Sequence, residues 1–264
     1  MRLDQAIFAR GLTDSREKAR RLIRQGCVTV NGEPVLKPAL EAADDADIRV
    51  NDADHFVGRG AYKLQAALEE FGEDLTGCVC MDIGASTGGF TEVMLRRGAK
   101  RVFAVDVGTD QLADRLKADP RVIDLEKTDA RTLTQEMLGC DPDFCSVDVS
   151  FISLSYIIPP LAERFGCRFV TLIKPQFEAG RADIGKGGIV KKPAAHVQVL
   201  RRFCAMLQSA GLTLTGLTAS PITGGDGNIE YLAAFRKGGD GIRPDLDTLV
   251  RKAFEDKKSG LKGS

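Results

Sequence analysis

Val79-Cys80-Met81-Asp82-Ile83-Gly84-Ala85-Ser86-Thr87-Gly88-Gly89-Phe90-Thr91-Glu92-Val93 is the stretch whose reading decides the fold. An apolar run reaches Asp82, glycines follow at 84, 88 and 89, and an amphipathic segment starts, so the order is strand, loop, helix. Backbone N–H groups at the start of such a helix can face an anionic or polar ligand. The loop is therefore expected to cradle a nucleoside-like cofactor, with Asp82, Gly84, Ala85, Ser86, Thr87, Gly88, Gly89 and Phe90 around it. The dinucleotide pattern G-x-G-x-x-G is not met, because position 86 is serine, and this counts against a nicotinamide enzyme.

Working outward, apolar β-rich runs alternate with helical stretches. CVCMDI, RVFAVDV, VIDL, DFCSVDV and RFVTLIK read as strands, and residues 89–97, 110–117, 153–164 and 194–210 as helices. This alternation predicts an α/β fold, a parallel sheet covered on both faces. Two more runs, 212–219 and 229–236, flank Pro221–Gly227 and are expected to be antiparallel, giving seven strands. About 20 residues past the loop, Asp106 ends the second strand, where a carboxylate can accept both ribose hydroxyls. Val107 lies beside it, and Asp129, after the third strand, is placed to accept from an adenine amino group.

Ligands of open α/β sheets sit outside the carboxyl ends of the strands. Asp148 closes the fourth strand, and Lys174 closes the fifth before Pro175. Glu230 is read as opening the last strand, whose start lies at the same rim because the strand is antiparallel. Lys63, in RGAYKL just before this domain, is placed over that rim.

The first 50 residues read as a small α+β unit. Leu3 and Ile7 mark a short helix; Asp14 and Glu17 have capping-box spacing before a second helix that Gly26 can end. In that second helix Ala19, Leu22 and Ile23 share one face, with Arg16, Arg20, Arg21 and Arg24 opposite. Asn31-Gly32 between two β-runs predicts a type I′ hairpin, and Ile48 and Val50 a closing strand. Residues 1–24 hold seven basic residues (Arg2, Arg10, Arg16, Lys18, Arg20, Arg21, Arg24) against three acidic, while acids gather at 41–47. The positive face can follow a phosphate backbone. Arg59 adds a cation before the larger domain, and residues 51–58 read as a linker. Beyond 240 one helix is expected at 245–254, within a C-terminal tail running to 264.

The chain has 264 residues, 37 Lys+Arg against 37 Asp+Glu, and 43% hydrophobic residues. Neutrality excludes a uniformly polycationic nucleic-acid coat, and composition argues against disorder. Seven cysteines without a regular framework read as reduced thiols of a cytoplasmic protein. Their C-x-C and C-x4-C spacings fit no zinc knuckle, so no metal is expected. No run approaches the ~18 apolar residues of a membrane span, which leaves a membrane-lytic role without an insertion segment.

Residues 2–35, RLDQAIFARGLTDSREKARRLIRQGCVTVNGEPV, resemble the small RNA-binding domain named after ribosomal protein S-four. The loop at 79–93 resembles motif I of S-adenosylmethionine-dependent methyltransferases with a Rossmann-like seven-stranded domain. Lys63, Asp148, Lys174 and Glu230, in GRGAYKL, VDVSFISL, LIKPQFEAGR and GNIEYL, resemble the Lys-Asp-Lys-Glu tetrad of FtsJ-related ribose 2′-O-methyltransferases. Over about residues 1–236 the chain is similar to the TlyA, or hemolysin A, family. That resemblance implies S-adenosyl-L-methionine as donor, cytidine 2′-O-methylation as the reaction, and ribosomal RNA or a ribosomal subunit as partner. It implies a domain order of 1–50, RNA binding, then 59–240, methyltransferase. Gly108-Thr109-Asp110-Gln111 departs from the family's aromatic run at the adenosine pocket. A non-catalytic RNA-binding or assembly factor is the rival reading; it predicts loss of loop or tetrad residues, and all are present. A ribose hydroxyl needs a group to take its proton during attack, and Lys174 is the expected acceptor, with Asp148 and Glu230 orienting the two lysines.

Overall fold

The computed structural model describes residues 1–13, 15–24, 27–43, 45–50, 56–185 and 187–259. Asp14, Gly26 and residues 51–55 lie outside them. The chain divides into two compact units, Met1–Phe56 and Val57–Ser264.

In the first unit, α1 (Leu3–Ala9) and α2 (Arg16–Arg24) pack on a sheet of β1 (Val28–Val30), β2 (Glu33–Pro34) and β3 (Ile48–Val50), ordered β2-β1-β3. Asn31 and Gly32 both have positive φ, 52° and 84°, as a type I′ turn requires. The apolar stripes bury Leu3, Ile7, Ala19, Leu22 and Ile23 in one small core.

The second unit is a seven-stranded sheet. Its strands are β4 (Val79–Ile83), β5 (Arg101–Val105), β6 (Val122–Leu125), β7 (Phe144–Val147), β8 (Arg168–Ile173), β9 (Leu212–Ala219) and β10 (Tyr231–Lys237). The order is β6-β5-β4-β7-β8-β10-β9, and among these strands β10 alone runs opposite to the other six. Strand order reverses between β4 and β7, the crevice where open α/β sheets bind ligands.

The helices are α3 (Gly60–Phe71), α4 (Gly89–Arg96), α5 (Asp114–Lys117), α6 (Gln135–Leu138), α7 (Ile158–Arg164), α8 (Pro175–Glu178), α9 (Pro193–Ser209) and α10 (Leu246–Lys258). α3, α6 and α8 were not expected, α10 runs on to Lys258 beyond the expected 254, and two of the expected helices are altered. The helix read at 110–117 begins only at Asp114, because Glu126 accepts the N–H groups of Asp110, Gln111 and Leu112 and holds them as a loop. The one read at 153–164 is split into a 3-10 turn at Leu154–Tyr156 and α7. α10 packs on α9 and β9, and its Val250 and Ala253 are buried in the core of the second unit. Among the described residues no helix is long and apolar enough to cross a membrane.

Candidate active site

The glycine loop is shaped by close approaches that exclude side chains. Gly84 has φ +83°, and a Cβ there would lie 2.3 Å from the carbonyl oxygen of Asp148. Glycine thus lets the ends of β4 and β7 meet, which the register (Ile83 beside Val147) requires. Gly88, φ +92°, precedes α4, and a Cβ on it would strike Leu112 and Leu116. Asp82 does not face the loop's open side. It is fully buried, accepting from Thr91 Oγ1 of α4 (2.7 Å) and Ser146 Oγ of β7 (2.8 Å), so it fastens the loop from behind.

Asp106 follows β5. Its Oδ2 accepts from Ser86 N–H (2.8 Å) and its Oδ1 from Gly108 N–H (2.7 Å). Each carboxylate oxygen can take two donors, so each has room for one more beside the N–H it already holds. Val107 beside it is 74% exposed, an apolar face on the surface. Asp129 is engaged otherwise: it caps the 3-10 turn at Ala130–Thr132 through Arg131 N–H and pairs with the Arg131 guanidinium at 2.6 Å. The bonds from Arg131 hold its carboxyl below the usual range.

The four residues read as a tetrad form two lysine–carboxylate pairs. Lys63 Nζ lies 2.6 Å from Glu230 Oε2, and Lys174 Nζ 2.7 Å from Asp148 Oδ1. Strand register explains this: Tyr231 pairs with Ile173, so the residues just outside, Glu230 and Lys174, fall at the same rim. Glu230 precedes β10 rather than opening it, since Tyr231 is the first paired residue. Lys63 arrives on α3, whose Ala61, Leu64, Ala67 and Leu68 are buried at helical spacing and which Gly72 ends in the left-handed region. The start of α3 closes on the loop: a Cβ on Gly60 would touch Phe90 at 3.6 Å and Asp148 Oδ2 at 3.8 Å.

Several residues at the site escaped sequence reasoning. Ser150 accepts from Lys174 Nζ at 2.8 Å, and Gln176 donates to Glu230 Oε1 at 3.2 Å. Glu92 takes Val57 N–H (2.7 Å) and pairs with Arg96 and Arg115. Phe151 has φ +65° and is 90% exposed, its ring 4.9 Å from that of Phe177. Ser150, Phe151 and Gln176 stand inside the motifs quoted for the tetrad, which was the available signal.

Among the described residues, two buried side-chain atoms, Asp148 Oδ1 and Gln176 Oε1, lack a hydrogen-bond donor; the 2.7 Å contact of Asp148 with Lys174 is an ion pair without hydrogen-bond alignment. Buried acceptors of this kind call for a donor. The residues present fit S-adenosylmethionine: the glycine loop could take its amino-acid part, the Asp106 carboxylate could accept from ribose hydroxyls, and Val107 would be an apolar neighbour. Among the described residues no group of three or more His, Cys, Asp or Glu is placed to hold a metal.

As for the N-terminal cations, Arg2, Arg16 and Arg20 each bond to Asp4. Arg21 and Arg24 are exposed, Lys18 half-buried, and Arg59 exposed with Nη2 3.5 Å from Thr223 O.

The FtsJ-like methyltransferase family matches residues 56–237 and the S4 domain residues 1–44. The 16S/23S rRNA (cytidine-2′-O)-methyltransferase TlyA of Mycobacterium tuberculosis is 43% identical over 242 residues, 89% of each chain. A putative rRNA methyltransferase of Bacillus subtilis, YqxC, is 43% identical over 91% of this chain and 87% of its own. The solved structure of a putative hemolysin from Streptococcus thermophilus superposes with a TM-score of 0.76 at 40% identity, covering 98% of both chains. With the tetrad, the glycine loop and the leading S4 domain in place, the chain belongs to the FtsJ-like methyltransferase family, in the branch that includes TlyA and hemolysin A.

Proposed function

We propose that this chain transfers the methyl group of S-adenosyl-L-methionine to the 2′-hydroxyl of a cytidine in ribosomal RNA, in the cytoplasm where ribosomes are assembled. The observation that carries the reading is Lys174 Nζ, held by Asp148 and Ser150 at the sheet rim beside the glycine loop. The names of the relatives and the S4 domain support ribosomal RNA as the acceptor.

The donor supplies a methyl on a positively charged sulfur. Lys174 Nζ donates to Ser150 and rests in ion-pair contact with Asp148, which fixes this nitrogen at the rim as the acceptor of the 2′-hydroxyl proton. As that proton moves to Nζ, the new O–CH3 bond forms and the S–CH3 bond breaks, leaving S-adenosylhomocysteine. Asp148 then neutralises the ammonium. Lys63 and Glu230, 8% and 2% exposed, form the drier pair that Gln176 ties to the rim. The exposed ring of Phe151 offers a face on which an unstacked base can rest.

The test is incubation with labelled donor and each purified ribosomal subunit, followed by mapping of ribose methylation. Lys174→Ala is expected to lower kcat by ~10²-fold or more with donor affinity nearly intact, because general-base assistance acts in the transition state. A raised KM for RNA at full kcat would instead make Lys174 a phosphate contact.

A further inference from the structure

The N-terminal unit holds an arrangement that methyl transfer itself does not use. Asp4, in the first turn of α1, is fully buried. A buried carboxylate without partners is costly, and this one has three. Arg2 Nε lies 3.1 Å from Oδ1; Arg16 Nε and Arg20 Nε lie 2.9 and 2.7 Å from Oδ2. Burial pushes the Asp4 carboxyl up, but the bonds from Arg20, Arg16 and Arg2 outweigh it and hold it far below the usual carboxylate range. The arginines come from two elements: Arg2 precedes α1, Arg16 begins α2, and Arg20 lies one turn further on.

Two features separate this from a cluster that merely covers Asp4. Each bond engages Nε, at the base of the guanidinium fork, and each arginine keeps about two-fifths of its side chain exposed, 42%, 39% and 41%. Three cations over one buried anion also leave an excess of two positive charges within this cluster, in a chain that is neutral as a whole.

We propose that Asp4 is a positioning residue for RNA: it gathers Arg2, Arg16 and Arg20 into one preorganised clamp for phosphate of the RNA backbone. Guanidinium forks match phosphate oxygens in pairs. Ordering them before RNA arrives removes an entropic cost that three independent side chains would each carry on binding. The proposal rests on the reading that ribosomal RNA is the acceptor.

The experiment measures binding of the full chain to transcripts of 16S and 23S ribosomal RNA across a salt series, with KM and kcat for the better transcript. Asp4→Asn is the decisive variant because it removes a negative charge. Three independently acting arginines would then bind RNA more tightly, whereas a clamp that has lost its organiser binds roughly tenfold more weakly and raises KM more than it lowers kcat. Equal or tighter binding by a folded Asp4→Asn chain overturns the proposal. Arg20→Lys covers the case in which that variant does not fold, since it keeps the charge and the pairing with Asp4 but lacks the fork. It is expected to bind several-fold more weakly, and binding equal to wild type overturns the clamp. If the wild-type chain binds neither transcript, the ribosomal RNA reading fails and the clamp with it, a result distinct from loss in the variants alone.

Discussion

Asp82 carries a charge that its surroundings resist. It is fully buried, and the hydroxyls of Thr91 and Ser146 donate to it. Burial pushes its carboxyl up to about 6, the bonds from Thr91 and Ser146 pull the other way, and the charge of Asp148 adds to the rise. The folded value lies above the ordinary 3.8, so the contribution to stability is full below the unfolded value and is lost as pH rises through about 6. At pH 8 the ionised group costs roughly 3 kcal/mol. Asp82→Asn is therefore expected to melt higher than wild type at pH 8, with the advantage narrowing toward pH 5. A difference that does not vary with pH would show that Asp82 does not titrate in this window. The same carboxylate joins α4, which follows the glycine loop, to β7, which leads into Asp148. Its role is thus one of position rather than stability, and the asparagine variant is expected to bind donor more weakly by calorimetry.

Among the elements, α10 lies beyond the stretch matched by the methyltransferase family. Asp245 caps it by accepting Thr248 N–H at 3.0 Å. Val250 and Ala253 are buried, the Phe254 ring meets His196 edge-on at 4.9 Å, and Lys257 Nζ donates to Gly227 O at 2.5 Å. Gly227 belongs to the segment leading to Glu230, and its neighbour Asn228 accepts Val190 N–H and donates to Gly188 O. The helix thus completes the core and steadies the approach to a tetrad residue. Val250→Ala is expected to cost about 2 kcal/mol, read from the denaturant midpoint. Lys257→Met is expected to change stability by less than about 0.5 kcal/mol, since an exposed contact contributes little, yet to lower turnover. An unchanged midpoint in Val250→Ala would mean that α10 is dispensable to this unit.

Elements also show where sequence was readable. The β-runs and the residues ending them were legible because burial demands apolar strands and the rim demands polar ends. Which lysine pairs with which carboxylate was not, for it depends on the β8–β10 register. α3 went unread as a helix because Arg59, before it, makes no side-chain cap, although Ala61, Leu64, Ala67 and Leu68 held the period. Asp4 looked like one acid among three until folding brought Arg2, Arg16 and Arg20 onto it.

At the scale of the whole molecule, neutrality conceals a division of labour. Residues 1–24 carry seven basic and three acidic side chains, a local excess of four, while the full chain balances at 37 of each. The first unit has its own core around Leu3, Ile7 and Ile23, and the second its own around the seven-stranded sheet. Separate cores give separable stability, so the fragment 57–264 is expected to fold alone. It retains the glycine loop, Asp106 and the tetrad, so donor in 100-fold excess over its Kd is expected to stabilise the fragment by about 2.7 kcal/mol, as any ligand of the folded state does. The basic N-terminal segment is gone from it. Each lost phosphate contact flattens the dependence of log K on log salt by about 0.7 to 0.9, so the fragment is expected to bind ribosomal RNA more weakly and with a shallower slope than the full chain. Calorimetry with donor and salt-dependent RNA binding check the two halves of this expectation. A fragment that methylates ribosomal RNA as efficiently as the full chain near physiological salt would place acceptor recognition in the second unit, leaving the S4 domain without the role its charge implies.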